Sequence, residues 1–353
     1  MECMDFNVKG ITFKKEDLTV QSLSELKAET ISRSHLFHLL PGDRKAILLL
    51  RAGDYVETSF INKYLDKGVT SLYQLEVTTQ EEIDFYKAEW SKLKSARSQN
   101  EQLMIRDQII AQIANDFWSS KEKSFLSFVI SCFEEFYIFP PHILEKYQEL
   151  SMTLYTRSLL MSATSGVVSL CNGFTDYHFI KDFYNTSFIT DFGLIEFGKF
   201  QYMLSRACEV ERQTPGAGVN FLKEKNRPNS EVQVFIHHPN TSYRAAKEFA
   251  KEFSNPEVLN FIKLHHEKSD GTGFPKGYRY SCMSQAETLL VFCDYLIPFS
   301  EHLFSRGDGH LILNEYFEIL KKIENKELLP IQKIISSWEK IMSWAVEKME
   351  VAS

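Results

Sequence analysis

Residues 264–277 read Leu264-His265-His266-Glu267-Lys268-Ser269-Asp270-Gly271-Thr272-Gly273-Phe274-Pro275-Lys276-Gly277. Two adjacent histidines close an apolar stretch with helical spacing (Val258, Leu259, Ile262), and a Gly- and Pro-rich loop follows. Taken alone, a histidine pair at a helix end has an ordinary use, because cations suit the last carbonyls. Asp270-Gly-Thr-Gly would then be a plain turn. The string as a whole carries more than either piece.

Around it lies a chain of 353 residues and 41.0 kDa, long for one ordinary domain and suited to two. It has 28 Phe and 15 Tyr against 15 Gly and 10 Pro, which favours long helices around a sizeable core over disordered or Gly-rich architecture. A formal charge of −7 argues against a general DNA or RNA backbone binder, since phosphate contact relies on clustered Lys and Arg. A local basic pocket for a small phosphate ligand survives that argument. The apolar stretches Ala46–Leu50 and Phe125–Phe133 fall short of the roughly 20 residues a bilayer crossing needs, and Met1-Glu-Cys-Met-Asp-Phe lacks the features of a secretory signal. Six scattered cysteines without a CxxC pair fit reduced thiols. The expectation is a soluble, cytoplasmic protein with no membrane segment.

The N-terminal part mixes strand and helix signals. Lys45–Val56 reads as strand, Gly-Asp turn and strand; Ser59–Gly68 as a helix; Ser71–Val77 as a strand. Residues 1–95 are therefore read as a small α/β regulatory domain. Thr79–Ala114 carries apolar residues at helical steps (Ile83, Tyr86, Trp90, Leu93) and predicts a linking or dimer-forming helix, or one lying on its own domain. Residues 96–140 read as a helical connector. The rest, 141–350, is dominated by helical periodicity, with His142–Leu170 as one stretch and breaks at Arg212–Gly218, Asn226–Ser230 and Asp270–Gly277. The fold class expected is mainly α, an all-helical C-terminal domain preceded by a small α/β one.

The 264–277 string resembles the signature of the HD-GYP family, HHE-x-x-DG-x-GYP, departing only at the tyrosine, which is Phe274. The resemblance implies an all-helical HD domain with a two- or three-metal centre, often iron, that hydrolyses cyclic di-GMP in bacterial signalling. The family's metal-binding aspartate answers to Asp294 in Leu289-Leu-Val-Phe-Cys-Asp294, 28 residues beyond His266. An ionised carboxylate in so apolar a run is costly unless paired or metal-bound. The family's His-Pro, placed at the start of the preceding helix, answers to His238-Pro239. The HD dyad matches less well. In Thr190-Asp191-Phe192-Gly193-Leu194, Asp191 and Gly193 survive, while the histidine is Thr190 and the lysine Leu194. A further family histidine should fall near Ser158, and Leu154-Tyr-Thr-Arg-Ser158 has none. A family arginine is Glu287 and a second aspartate is Ile297. The N-terminal LLRAGDYV (Leu49–Val56) is similar to the small domain of some family members.

Carried over by residue, one metal position is intact, with Asp191 as catalytic bridging ligand beside His238, His265 and His266. A second keeps Asp191 and Asp294 but loses two imidazoles. The resemblance thus implies one divalent metal, iron or manganese, in place of two or three, and weak or absent hydrolysis. One metal can generate hydroxide but cannot clamp attacking oxygen and phosphate together. Lys276, Arg279 and Tyr280 are candidates for a cyclic dinucleotide's phosphate or guanine face. Gly273, Phe274 and Pro275 are candidates for contact with a diguanylate-cyclase-type partner protein. The alternatives are an active cyclic di-GMP phosphodiesterase with a centre rebuilt from His178, Glu196 or His237, and a metal-free helical scaffold.

Overall fold

The computed structural model describes residues 5–40, 45–119, 123–195, 201–214, 216–267, 271–279, 282–299, 304 and 340. A small β-rich region near the N-terminus precedes helices. Strands β1 (Asp5–Val8) and β2 (Ile11–Lys14) form an antiparallel hairpin. Strands β3 (Thr19–Ser22), β5 (Ser34–Leu39), β6 (Ala46–Leu50) and β8 (Ser71–Glu76) form an antiparallel sheet in the order β3-β8-β5-β6. A two-stranded ladder pairs β4 (Thr30–Ile31) with β7 (Tyr55–Val56). Strand β5 is covered on both faces. Leu36 joins Leu23, Leu50, Val56 and Leu72 on one side, with Phe60, Ile61 and Tyr64 of α1 (Thr58–Leu65) packed against them. Phe37 joins Phe6 and Phe13 of the hairpin on the other.

Ten further helices follow among the described residues: α2 (Gln80–Ser95), α3 (Gln99–Ile113), α4 (Leu126–Phe136), α5 (Pro141–Leu150), α6 (Met152–Cys171), α7 (Tyr177–Phe188), α8 (Gln201–Gln213), α9 (Ala217–Glu224), α10 (Asn229–Lys247) and α11 (Gln285–Leu296). None is long and apolar enough to cross a membrane. Thr79–Ala114 is two helices, not one. Ala96 is extended, and Ser98 accepts from the Glu101 N–H to cap α3, a restart signal inside a continuous apolar pattern. Ile83, Tyr86, Trp90 and Leu93 are buried in this chain's own core, where Trp90 meets Phe128 and Phe136. Likewise 142–170 divides at Ser151, whose hydroxyl accepts from Leu154 N–H and caps α6.

Helix α6 is the axis of the helical part, with every residue from Leu154 to Cys171 buried. Ser162 and Ser165 return their hydroxyls to carbonyls within the helix, which lets these polar residues be buried. The β region is fastened to α5 and α6. The Gln148 side chain accepts from Tyr55 N–H (2.7 Å) and donates to Tyr55 C=O (3.2 Å), and the Tyr155 hydroxyl donates to Gly53 C=O (2.9 Å). A cavity of about 900 Å³ opens at this junction, with His35, Asp54 and Thr156 in its wall.

Candidate metal centre

Asp191 stands in the turn after α7, His238 within α10, and His265 and His266 at the end of a 3-10 segment, Pro256–Leu264. All four are buried, and one ligand atom from each lies within 4.8 Å of the others. His238 Nε2 is 3.2 Å from both His265 Nε2 and His266 Nε2. Asp191 Oδ1 is 3.5 Å from His238 Nε2 and 3.6 Å from His265 Nε2.

Proton placement shows what this arrangement offers a cation. His238 Nδ1 lies 2.6 Å from Phe235 C=O, and His265 Nδ1 lies 2.6 Å from Ile262 C=O. A carbonyl only accepts, so each Nδ1 carries a proton, and the neutral form of each ring turns an unprotonated Nε2 inward. Burial, reinforced by the neighbouring histidines, holds the pKa of His266 well below its usual value. Burial also lowers that of His238, aided by His265 and opposed by Asp191. Two lone pairs at 3.2 Å repel unless a cation stands between them. Ligands about 2.0–2.1 Å from a tetrahedral metal are roughly 3.3 Å apart, which is this spacing. Asp191 Oδ1 is buried with no hydrogen-bond partner, a further donor atom directed at the same point. Three neutral imidazoles and a carboxylate suit divalent iron, manganese or zinc, and a metal bound there supplies Lewis acidity and an acidified water.

The local sequence explains the orientation. His238-Pro239 lies inside α10, not at its start. Pro239 has no N–H, so the Phe235 carbonyl four residues back loses its helical donor. The His238 ring supplies the replacement, and the ring is thereby fixed. Gly193 is needed for approach: a Cβ there would stand 2.5 Å from His238 C=O, and its N–H donates to Ser242 Oγ (2.8 Å) on the same helix. Glu267, the third residue of the histidine string, is buried and accepts from Lys276 N–H (2.9 Å) and Tyr278 N–H (2.6 Å). Burial raises its pKa, against those backbone donors. Its role is to fold the loop back under the histidines.

The second oxygen of Asp191 is engaged elsewhere. Arg157, on α6 and 1% exposed, donates from one terminal nitrogen to Asp191 Oδ2 and from the other to Asp294 Oδ1 (2.6 Å) and Asp294 C=O (3.0 Å). Its Nε donates to Ile297 C=O (3.1 Å), and Phe299 lies under the guanidinium at 4.0 Å. Burial opposes the charge, but Asp191 and Asp294 outweigh it and raise the pKa of Arg157 above its ordinary value. Burial likewise opposes ionisation of Asp191, yet the Arg157 guanidinium beside it holds its pKa well below the usual range. Asp294 stands outside the group of four, with Oδ2 3.8 Å from His266 Nδ1.

No family model and no curated protein matches this sequence. Among solved structures the chain is similar to Bd1817, a HDG"Y"P protein from Bdellovibrio bacteriovorus, at 16% identity and a TM-score of 0.37, over 91% of this chain and 99% of that one. A likeness this loose carries no weight in assigning the site, whose chemistry stands on its own residues.

The remaining candidates divide clearly. Thr190, in the position of the missing histidine, is buried and returns its hydroxyl to Thr186 C=O (2.8 Å). Leu194 is fully buried, and Glu287 caps α11 with Ser284. His178 lies near Ser254 and His237 is exposed beside Gln233, so neither joins the four; Glu196 and Tyr280 lie outside the described residues. Lys276 and Arg279 are exposed on the loop. Phe274 is half-buried and stacks on His266 with ring centres 4.7 Å apart, so its aromatic face is turned toward the histidine cluster. Arg157 is the site residue that the sequence reading passed over, one position before the serine where an imidazole was sought.

Proposed function

We propose that this chain is a signalling protein of HD-GYP type whose helical domain holds one divalent metal through Asp191, His238, His265 and His266. In this reading it acts by binding a cyclic dinucleotide or a protein partner, with weak or no hydrolysis. The observation that carries the metal is the convergence of the histidine Nε2 atoms and the unpartnered Asp191 Oδ1 in a buried pocket. Depletion of the centre is supported by Thr190 and Ser158, whose hydroxyl chemistry replaces two imidazoles, and by Asp294 standing apart from the group of four. A single cation acidifies a water but lacks the second ion that steadies the phosphate in an in-line displacement. Exposed Lys276 and Arg279, beside the loop that Glu267 holds, are the cations offered to a cyclic dinucleotide's phosphates. The Gly273–Pro275 turn is the surface offered to a protein partner.

The test is elemental analysis of protein purified anaerobically without chelators, with a cyclic di-GMP turnover assay on the same sample. One metal per chain without turnover agrees with the proposal. Two or more metals with turnover would make the chain a phosphodiesterase. Absence of metal would leave a helical scaffold.

A further inference from the structure

We propose that Arg157 stands in for a second metal ion, so that the centre is mononuclear by construction. This inference rests on the one-metal reading above. Asp191 has the form of a bridging carboxylate: Oδ1 faces His238 and His265, while Oδ2 is bound by the guanidinium. Asp294 Oδ1 closes on the same guanidinium from the other side. Two buried carboxylates therefore converge on one point, and a fixed monovalent cation fills it. An ion entering there would have to displace a side chain that is 1% exposed.

Arg157 is a positioning residue. Its groups point to Asp191 Oδ2, Asp294 Oδ1, Asp294 C=O, Ile297 C=O and Met161 Sδ, and its face is covered by Phe299. With its donors engaged in this way and its side chain closed off from solvent, it is not placed to reach for a substrate phosphate. Its effect is local and electrostatic. It neutralises one of two buried negative charges permanently and turns the free oxygen of Asp191 toward the histidines. A guanidinium remains charged at any physiological pH, so this half of the centre does not depend on metal supply.

The test is Mn²⁺ titration followed by electron paramagnetic resonance, on wild type, Arg157→Lys and Arg157→Ala. Wild type and Arg157→Lys are expected to bind one Mn²⁺ per chain with the spectrum of an isolated ion. Arg157→Ala leaves the two carboxylates facing an opened space and is expected to take a second Mn²⁺, giving the spectrum of an exchange-coupled pair. Folding of each variant is checked by circular dichroism. A folded Arg157→Ala that still binds one ion would overturn the inference. If that variant does not fold, the wild-type count decides, since two coupled ions beside an intact Arg157 would overturn it alone. No Mn²⁺ in wild type would overturn the metal-binding reading and this inference together.

Discussion

His238 and His265 are buried, and each commits a proton to a carbonyl 2.6 Å away. That bond fixes which nitrogen each ring turns inward, so that Nε2 is the atom offered to a metal. His237 is one residue from His238 and shares its helix, yet it is exposed and faces Gln233. The pair thus provides its own control. At a free Mn²⁺ concentration a hundredfold above Kd, wild type should gain about 2.7 kcal/mol of stability by linkage. His265→Ala should lose that gain, while His237→Ala should retain it; thermal melts with and without Mn²⁺ read both. An equal loss in the two variants would mean that the ion binds elsewhere. The three histidines and Asp191 were legible because residue type and spacing survive in the chain. Arg157 was not, because the expectation near position 158 was for a ligand of one chemical type. The clue was present: a lone arginine between apolar and small residues in Leu154–Met161 must bring buried partners with it, the same reasoning that marked Asp294.

Elements were legible where periodicity and caps agree. The strands at 46–50 and 71–76 and the helix at 58–65 lie close to where alternation and Gly68 put them. Strand β5 was hidden because Ser34-His35-Leu36-Phe37-His38-Leu39 is covered on both faces and so does not alternate. The break at Asn226–Ser230 falls where α10 begins, whereas the resemblance put His238-Pro239 at a helix start and Pro239 lies inside α10, although a proline normally signals a boundary. Its retention inside the helix has the local use described above, since it hands the Phe235 carbonyl to His238. Pro239→Ala should therefore move two properties in opposite directions. Apo-protein stability should rise, by up to about 3 kcal/mol, as an interior helix regains a donor and loses a ring clash. Mn²⁺ affinity should fall severalfold, because the backbone N–H restored by the substitution would compete for the carbonyl that orients the His238 ring. Urea unfolding without metal and calorimetric titration with it separate the two effects. A variant with tighter metal binding would show that Pro239 is there for the helix path alone.

At the scale of the whole molecule, the β region and the helical part meet at Gly53, Asp54 and Tyr55, and of the two helices they are fastened to, α6 carries Arg157 one residue after Thr156 in the cavity wall. Two titratable groups are buried at that junction with opposite consequences. Burial raises the Asp54 pKa to about 6, against the Arg51 N–H (2.7 Å) and charge that favour the carboxylate. Burial, with Arg51 nearby, lowers the His35 pKa to about 4, and its Nδ1 accepts from Ala52 N–H (3.1 Å). A raised folded pKa gives stability that is complete below the unfolded value of 3.8 and is lost as pH climbs through about 6. A depressed one gives stability complete above 6.5 that is lost as pH falls through about 4. Between those limits the two slopes oppose each other, so the wild-type profile across this window is flattened. Asp54→Asn keeps an oxygen to accept from Arg51 N–H and removes the charge. It should exceed wild type in stability at pH 7.5 by up to about 3 kcal/mol, with the difference closing toward pH 4 as the wild-type carboxyl protonates. With the Asp54 term gone, the His35 slope is exposed, and the variant should lose stability below pH 6 more steeply than wild type. Urea melts at pH 4.5, 6 and 7.5 measure this, and a variant no more stable than wild type at pH 7.5 would place Asp54 in contact with water.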